Sequence, residues 1–241
     1  KTLFICIAIW SLLLVTNNSS SQTLTPRIIF KDHPNTHNMH ITSDGKYLYT
    51  CNGGKAEMGQ ISKFTPDGVK IASYKTDLDM RSVMYNPSDK MLYVNTYGHK
   101  LYKITDLEKG IYSEVFDFAD RNEQSAPALS HNGKLIYFME YGEVYVYSMK
   151  NMEFRYSLSG LNSTDNAADG GTSIAVDKKN LYCWDAGSQT VYIYDLKGKF
   201  RKSVKLKEGS YGFSLSYAYE HLWVSDDGNY EEGTWYGYKV E

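Results

Sequence analysis

The stretch Gly171–Gly198, GTSIAVDKKNLYCWDAGSQTVYIYDLKG, contains the pattern that determines the fold. The apolar segment Ile174–Val176 leads through the polar turn Asp177-Lys178-Lys179 into Leu181-Tyr182, and the alternating run Val191–Tyr194 follows. Alternation with a period of two is typical of half-buried β-strands. The stretch therefore predicts short consecutive strands joined by tight turns.

The same pattern occurs five times along the chain. An aliphatic residue followed by an aromatic one recurs at spacings of 44, 44, 45 and 41 residues, at Leu48-Tyr49, Leu92-Tyr93, Ile136-Tyr137, Leu181-Tyr182 and Leu222-Trp223. A glycine stands six residues after each aliphatic residue, at Gly54, Gly98, Gly142, Gly187 and Gly228. A glycine at a fixed place after a strand indicates a turn that needs a positive φ. Units of this length with four short strands are typical of β-propellers.

The two ends of the chain complement each other. The fifth copy stops after its third strand, at Val240, whereas Arg27–Phe30 forms an extra strand ahead of the first copy. If this strand completes the last unit, the ring closes and both chain ends are paired. We therefore predict an all-β fold without ordinary helices. It is a five-bladed β-propeller of four-stranded antiparallel blades, closed by an N-terminal strand that completes the last blade.

The units resemble the NHL and YVTN types of propeller repeat. The resemblance is strongest in the fourth copy, in Gly171–Asp177, Leu181-Tyr182, Val191–Asp195 and Gly198, and it extends over all five copies. It implies the propeller fold and an exported binding or scaffold role, but no catalytic residue, because such families share a backbone and not a chemistry. Five-bladed glycosidases and glutaminyl cyclotransferases share the architecture, and the sequence contains a motif of neither.

The N-terminal segment is typical of a signal peptide. Lys1 precedes the apolar run Leu3–Val15, and small polar residues follow. The 13-residue run is shorter than the roughly 20 residues that span a bilayer. We therefore predict a signal peptide over residues 1–22, one propeller domain over 23–241, no membrane span after cleavage, and a secreted or periplasmic location.

Composition limits the partners. The formal net charge is −2 among 241 residues, so no strongly basic surface indicates a nucleic-acid partner. The 22 tyrosines favour strands. Cys51 and Cys183 occupy different positions of different copies, so we expect two buried free thiols rather than a disulfide. The sequence does not predict an oligomeric state.

Candidate ligand-binding residues follow the second strand of each unit. In a propeller, these loops and the loops that join blades meet at one mouth of the central channel, where a ligand-binding site is expected. We predict an acidic and aromatic mouth formed by Asn52, Thr96, Tyr97, Glu140, Tyr141, Asp185, Asp226 and Asp227, with Arg81 as a nearby cation. The alternative is that polar residues simply end the strands there.

A calcium site is a further possibility at the same mouth. Gly54–Gly59 and Gly228–Gly233 share their glycine spacing and a glutamate, and they belong to copies that become neighbours once the ring closes. Oxygen ligands from Glu57, Asp226 and Glu231 would suit Ca²⁺. The alternative is a pair of long solvated loops, and no other cofactor is predicted.

Three hypotheses about function follow. The first is a non-enzymatic exported module that binds a small ligand or a protein partner at the mouth. The second is a hydrolase or lyase acting on an extracellular sugar or related substrate, with two facing carboxylates such as Glu140 and Asp185. The third is a module of an assembly that contacts neighbours through Tyr-rich blade edges. Because no catalytic motif is present, the first hypothesis is preferred.

Overall fold

The computed structural model describes residues 22–161 and 171–240. Within these ranges the regular structure is β-strand, apart from the 3₁₀ turn Ala56–Met58. The predicted signal peptide lies outside the described residues except for Gln22. No helix in the described ranges has the length and apolar character needed to cross a bilayer.

Most of the strands form five antiparallel sheets, which we call blades 1 to 5. Two strands precede blade 1, namely β1 (Gln22–Leu24) and β2 (Ile28–Asp32). Blade 1 contains β3 (His37–Ser43), β4 (Leu48–Gly53), β5 (Gln60–Phe64) and β6 (Lys70–Lys75). Blade 2 contains β7 (Met80–Asn86), β8 (Met91–Thr96), β9 (Lys100–Asp106) and β10 (Ile111–Asp117).

The second half of the chain repeats this order. Blade 3 contains β11 (Ala128–Leu129), β12 (Leu135–Glu140), β13 (Glu143–Ser148) and β14 (Phe154–Leu158), and β15 (Gly171–Thr172) follows. Blade 4 contains β16 (Ile174–Val176), β17 (Asn180–Asp185), β18 (Thr190–Asp195) and β19 (Phe200–Leu206). Blade 5 contains β20 (Ser216–Ala218), β21 (His221–Ser225) and β22 (Gly233–Tyr238), with β2 as its fourth strand.

The ring closes as predicted. Strand β2 pairs antiparallel with β22, with Phe30 opposite Trp235. The inner strands β3, β7, β11, β16 and β20 each contact the inner strand of the next blade, and β20 contacts β3. The five-bladed propeller fold is therefore confirmed. The closing strand covers Ile28–Asp32 rather than 27–30.

The hydrophobic core lies between the blades. Each of the five pairs of neighbouring blades shares one cluster of buried apolar side chains in the described residues. Between blades 5 and 1, the Phe30 ring lies 4.7 Å from Phe64 and 5.6 Å from Trp223. Burial of aromatic pairs like these stabilises the closed ring.

Two strands were not predicted. Strand β1 adds to the outer edge of blade 4 by parallel pairing with β19. Strand β15 pairs with the end of β12, so that Gly171 lies opposite Glu140. The inner strand of blade 5 is short, because β20 covers only Ser216–Ala218.

The recurring glycines adopt the predicted turn conformation in four blades. A positive φ occurs at Gly54, Gly98, Gly142 and Gly228. The prediction is wrong for Gly187, because the turn of blade 4 places its positive φ at Gln189, φ 52°. There the Gln189 amide donates to the carbonyl of Ala186.

Cys51 and Cys183 are free and buried, as predicted. Burial raises the pKa of both thiols. A buried thiol that stays protonated is a poor nucleophile, so neither side chain has the properties of a reactive cysteine.

Candidate functional site

Strand direction determines which loops share an end of the propeller. Since neighbouring strands are antiparallel, the loops after each second strand and the loops between blades lie at one end, which we call the loop face. The turns between first and second strands lie at the other end, the turn face. The described loop-face segments are 33–36, 54–59, 76–79, 97–99, 118–127, 141–142, 159–161, 186–189, 207–215 and 226–232.

The loops of blades 1 and 5 meet at the loop face. The Asn38 amide donates to the carbonyl of Asp227 at 2.9 Å, and the Tyr230 amide donates to the carbonyl of Thr36 at 2.9 Å. The side chain of Asn38 also donates to the carbonyl of Asp226, at 3.3 Å. Ring closure therefore places the last loop of the chain beside the start of blade 1.

A histidine and an aspartate pair at this junction. Nδ1 of His37 lies 2.5 Å from Oδ1 of Asp227, and the two side chains are 25% and 36% exposed. Because a carboxylate only accepts, Nδ1 is the donor. The His37 ring stacks on Tyr211 at 6.1 Å and contacts the edge of Tyr230 at 5.4 Å.

Gly54 allows a loop to approach this histidine. Its φ is +113°, and a β-carbon there would lie 2.7 Å from Cδ2 of His37. Its amide donates to Oδ1 of Asp79 at 2.6 Å, and the Arg81 guanidinium donates to the same oxygen at 2.6 Å. Blades 1 and 2 are thus linked by one carboxylate.

Arg81 is buried and held by hydrogen bonds to Asp79 and Gln124. Its Nε donates to Gln124 at 2.9 Å, and its guanidinium carbon lies 4.9 Å from the centre of the Tyr97 ring. The Tyr97 hydroxyl in turn donates to Glu123 at 2.5 Å. The predicted cation of the mouth is therefore a fixed part of the wall beneath Tyr97.

These groups form one continuous set, which we call the mouth cluster. It comprises His37, Asp79, Arg81, Tyr97, Tyr211, Asp227 and Tyr230. Burial raises the pKa of Tyr211, the nearby carboxylates of Asp227 and Asp79 raise it further, and Arg81 opposes them. The cluster thus combines aromatic rings with two carboxylates, those of Asp79 and Asp227.

An ammonium group already lies on one ring of the mouth cluster. Nζ of Lys55 is 5.3 Å from the centre of the Tyr230 ring. Tyr230 is 48% exposed and Tyr97 is 44% exposed. Both rings can therefore contact a bound molecule from solvent.

Two of the predicted ligand-binding residues, Asn52 and Thr96, form hydrogen bonds to backbone groups. The Asn52 side chain is buried, donates to the carbonyls of Pro34 and Met58, and accepts from the amide of Gln60. The hydroxyl of Thr96 donates to the carbonyl of Lys100 at 3.2 Å. Their polar atoms hold loop backbone in place, and a ligand-binding role for them stays a prediction.

Two carboxylates of the predicted ring, those of Glu140 and Asp185, are bonded to nearby residues. Glu140 is buried, accepts from the Asn122 amide and the Ser125 hydroxyl, and pairs with Arg121 at 3.4 Å. Asp185 accepts from the amide and hydroxyl of Ser188.

Asp226 is hydrogen-bonded within its blade, whereas Tyr141 is exposed to solvent. Asp226 accepts from the Tyr236 hydroxyl at 2.8 Å. Burial, with Asp226 adding to it, raises the pKa of Tyr236 to about 12. Tyr141 is 71% exposed on a turn with φ 48°. Of the predicted residues, Arg81, Tyr97 and Asp227 belong to the mouth cluster.

The predicted calcium ligands do not gather into a cluster. Glu57 lies in the exposed turn Ala56–Met58, and Glu231 is exposed in the last loop. Within residues 22–161 and 171–240, no three His, Cys, Asp or Glu side chains are grouped so as to hold a metal ion. A calcium site from Glu57, Asp226 and Glu231 stays a prediction.

Sequence reasoning missed several members of the cluster. His37 is the first residue of β3, and Tyr230 lies in the loop between β21 and β22. No recurring position of the repeat marks either residue. Their proximity follows from ring closure and from backbone hydrogen bonds between blades 1 and 5. A cavity of about 940 Å³ lies at the turn face, and it was not predicted either.

No family model matches the sequence, and no curated protein matches it. Among solved structures, Myxococcus xanthus glutaminyl cyclase is similar with a TM-score of 0.65 and 5% identity, covering 92% of this chain and 99% of that one. A chain of a nidogen/laminin complex is similar with a TM-score of 0.51 and 12% identity, covering 78% and 72%. At these identities the likeness shows the fold alone.

Proposed function

We propose that the protein is an exported propeller that binds a cationic group, carried by a small molecule or a protein partner, at the mouth cluster. The observation that supports this most directly is the ammonium group of Lys55 over the Tyr230 ring. An aromatic face next to a carboxylate attracts ammonium and guanidinium groups. Asp227 supplies that carboxylate, since it is bonded to the His37 ring that Tyr230 contacts.

Lys55 acts in this proposal as an intramolecular occupant of the site. Its side chain is exposed and comes from the neighbouring loop of blade 1. A ligand cation takes its place over Tyr230, and Lys55 then returns to solvent. Arg81 over Tyr97 is different, because its buried guanidinium is bonded to Asp79 and Gln124 and stays in place.

Export is part of the proposal and rests on the predicted signal peptide of residues 1–22. A secreted or periplasmic binding module needs a rigid scaffold beneath variable loops, and a closed propeller provides one. The cationic partner is therefore a molecule met outside the cytoplasm.

A hydrolase or lyase is the alternative. It would need a carboxylate free to act as an acid, a base or a nucleophile. Both oxygens of Glu140 are occupied by Asn122, Ser125 and Arg121, and those of Asp185 are occupied by Ser188. These bonds favour a structural role for both carboxylates and support the binding function instead.

The test is calorimetric titration with spermidine and with a short lysine peptide, using the ε-acetylated peptide as an uncharged control. We expect saturable binding of both cations and weaker binding of the acetylated peptide. Tyr230→Ala and Asp227→Asn should each weaken binding by about fivefold, since one such contact is worth about 1 kcal/mol. Lys55→Ala should tighten binding, because it removes the competing ammonium.

A matched control exists on the opposite face. Tyr219 resembles Tyr230 in exposure, 42% against 48%, and in having a positive φ. Tyr219→Ala should leave binding of the lysine peptide unchanged. Equal binding of the acetylated peptide, or equal losses in Tyr219→Ala and Tyr230→Ala, would contradict the proposed function.

A further inference from the structure

The cavity at the turn face is separate from the mouth cluster. It has a volume of about 940 Å³ and is lined by the turns between first and second strands and by the inner strands below them. Sites for small molecules have volumes of about 300–1,000 Å³. Its wall is mainly apolar in the centre, where Met84, Leu129 and Val176 contribute.

His40 lines this cavity and has one ring nitrogen without a partner. Its side chain is buried, and Nδ1 donates to the carbonyl of Val83 at 2.9 Å. In the neutral ring Nε2 is therefore the acceptor. Nε2 has no hydrogen-bond partner in the described part of the chain and is itself buried, so a ligand donor reaches it only when the neighbouring side chains move aside. Burial lowers the pKa of His40 to about 4, so the ring is neutral at pH 7.

The aspartates at the cavity rim are occupied by their own turns. Asp177 accepts from the amides of Lys179 and Asn180 at 2.6 Å and from the Tyr182 hydroxyl at 2.6 Å. Asp44 accepts from two backbone amides in the same way and from the Tyr49 hydroxyl. Their charge is therefore compensated by several donors.

The cations of the rim lack such partners. Lys178 and Lys179 are exposed side chains that line the cavity, and Arg201 lines it as well. In the described ranges none of the three is in a salt bridge. The rim on the side of blade 4 is therefore electropositive, whereas the wall on the side of blade 1 contains the buried, neutral acceptor of His40.

We propose that this cavity binds a small organic anion that also carries a hydroxyl or amide donor. The anionic group faces Lys178 and Lys179, and the donor bonds to Nε2 of His40. Sugar acids and sugar phosphates have this combination of a charge at one end and hydroxyls along the rest. This site is independent of the cation-binding site proposed at the loop face.

The test is calorimetric titration with glucuronate and with glucose 6-phosphate, with glucose as the uncharged control. We expect a saturable isotherm for at least one anion and none for glucose. The double variant Lys178→Glu/Lys179→Glu should weaken anion binding by at least about tenfold, a change of about 1.4 kcal/mol. The matched control Lys205→Glu/Lys207→Glu has the same change in net charge at the loop-face end of blade 4 and should bind like the parent.

The role of His40 is measured without replacing it. In ¹⁵N NMR of histidine side chains, Nε2 of His40 should shift on saturation with the anion, while the half-buried His221, which does not line the cavity, should not. No saturable heat with either anion, equal binding of glucose, or equal losses in both double variants would overturn the proposed site. Binding with an unchanged His40 signal would overturn the assigned acceptor.

Discussion

Nδ1 of His37 and Oδ1 of Asp227 lie 2.5 Å apart, although 190 residues separate them in the chain. His37 begins the first blade, and Asp227 lies in the last loop. Their contact exists only because β2 pairs with β22 and closes the ring. The proposed binding site and the closure of the fold therefore depend on each other.

Phe30→Ala should destabilise the protein strongly. Phe30 is 6% exposed and lies between Phe64 and Trp223 at the closing blade. Loss of a buried phenylalanine costs about 3–5 kcal/mol in the free energy of unfolding. Ile29→Ala is the matched control, since Ile29 is the neighbouring residue and is 56% exposed. Urea unfolding measures both, and equal effects of the two changes would contradict the role of β2 in closure.

Gly54→Ala should abolish binding of the lysine peptide, whereas Gly98→Ala should not. Both glycines have a positive φ, so each substitution costs about 1–3 kcal/mol of stability. Only at Gly54 does a β-carbon meet His37, whereas at Gly98 nothing lies within 4 Å. Peptide titration of the two variants separates these effects, and equal loss of affinity in both would show that the His37 contact is not needed.

His40 should make the protein less stable in acid. Its pKa in the folded state is about 4, against 6.5 for the ordinary side chain, because burial disfavours the charged form. Between these values the unfolded chain binds the extra proton, so this contribution to stability is lost as the pH falls from 6.5 towards 4. The loss is about 3 kcal/mol.

The measurement is the free energy of unfolding in urea at pH 7 and at pH 4.5. His40→Gln should reduce the difference between the two values, whereas His131→Gln, at an exposed turn, should leave it unchanged. An unaltered difference in His40→Gln would show that other groups cause the acid sensitivity.

Asp177→Ala should lower the free energy of unfolding by about 2–3 kcal/mol, because three donors, two of them part-buried, lose their acceptor. The Tyr182 hydroxyl and two backbone amides donate to this carboxylate. Asp67→Ala is the control, since Asp67 is an exposed turn residue without such bonds in the described structure. Urea unfolding of the two variants measures the difference in their free energies of unfolding. Equal values would show that the hydrogen bonds of Asp177 do not stabilise the fold.

The sequence was sufficient for the fold because its signals are local and repeated. Alternating strands, turn glycines and the recurring pair that begins with Leu48-Tyr49 are each visible within a few residues. Arg27–Phe30 could be assigned to the last blade because the fifth unit lacks a fourth strand and this strand belongs to no unit of its own. Strand β1 could not be predicted, because its three residues, Gln22–Leu24, are too few to show an alternating pattern.

The site was harder to predict because side-chain partners come from distant parts of the chain. The positions four and five residues after each recurring aliphatic residue include Asp227 and Tyr97, which belong to the mouth cluster. It also selected Glu140 and Asn52, whose polar atoms are taken by backbone and side-chain groups of neighbouring loops. Repeat position predicts where a residue lies, whereas hydrogen-bond partners determine whether it is available to a ligand.

The most direct test of the proposed function is aromatic NMR of protein labelled at tyrosine and histidine, titrated with spermidine. We expect saturable shifts at His37, Tyr97 and Tyr230, and constant signals from Tyr85 and Tyr219 at the turn face. Largest shifts at the turn face, or none at His37 and Tyr230, would contradict the assignment of the mouth cluster as a cation-binding site.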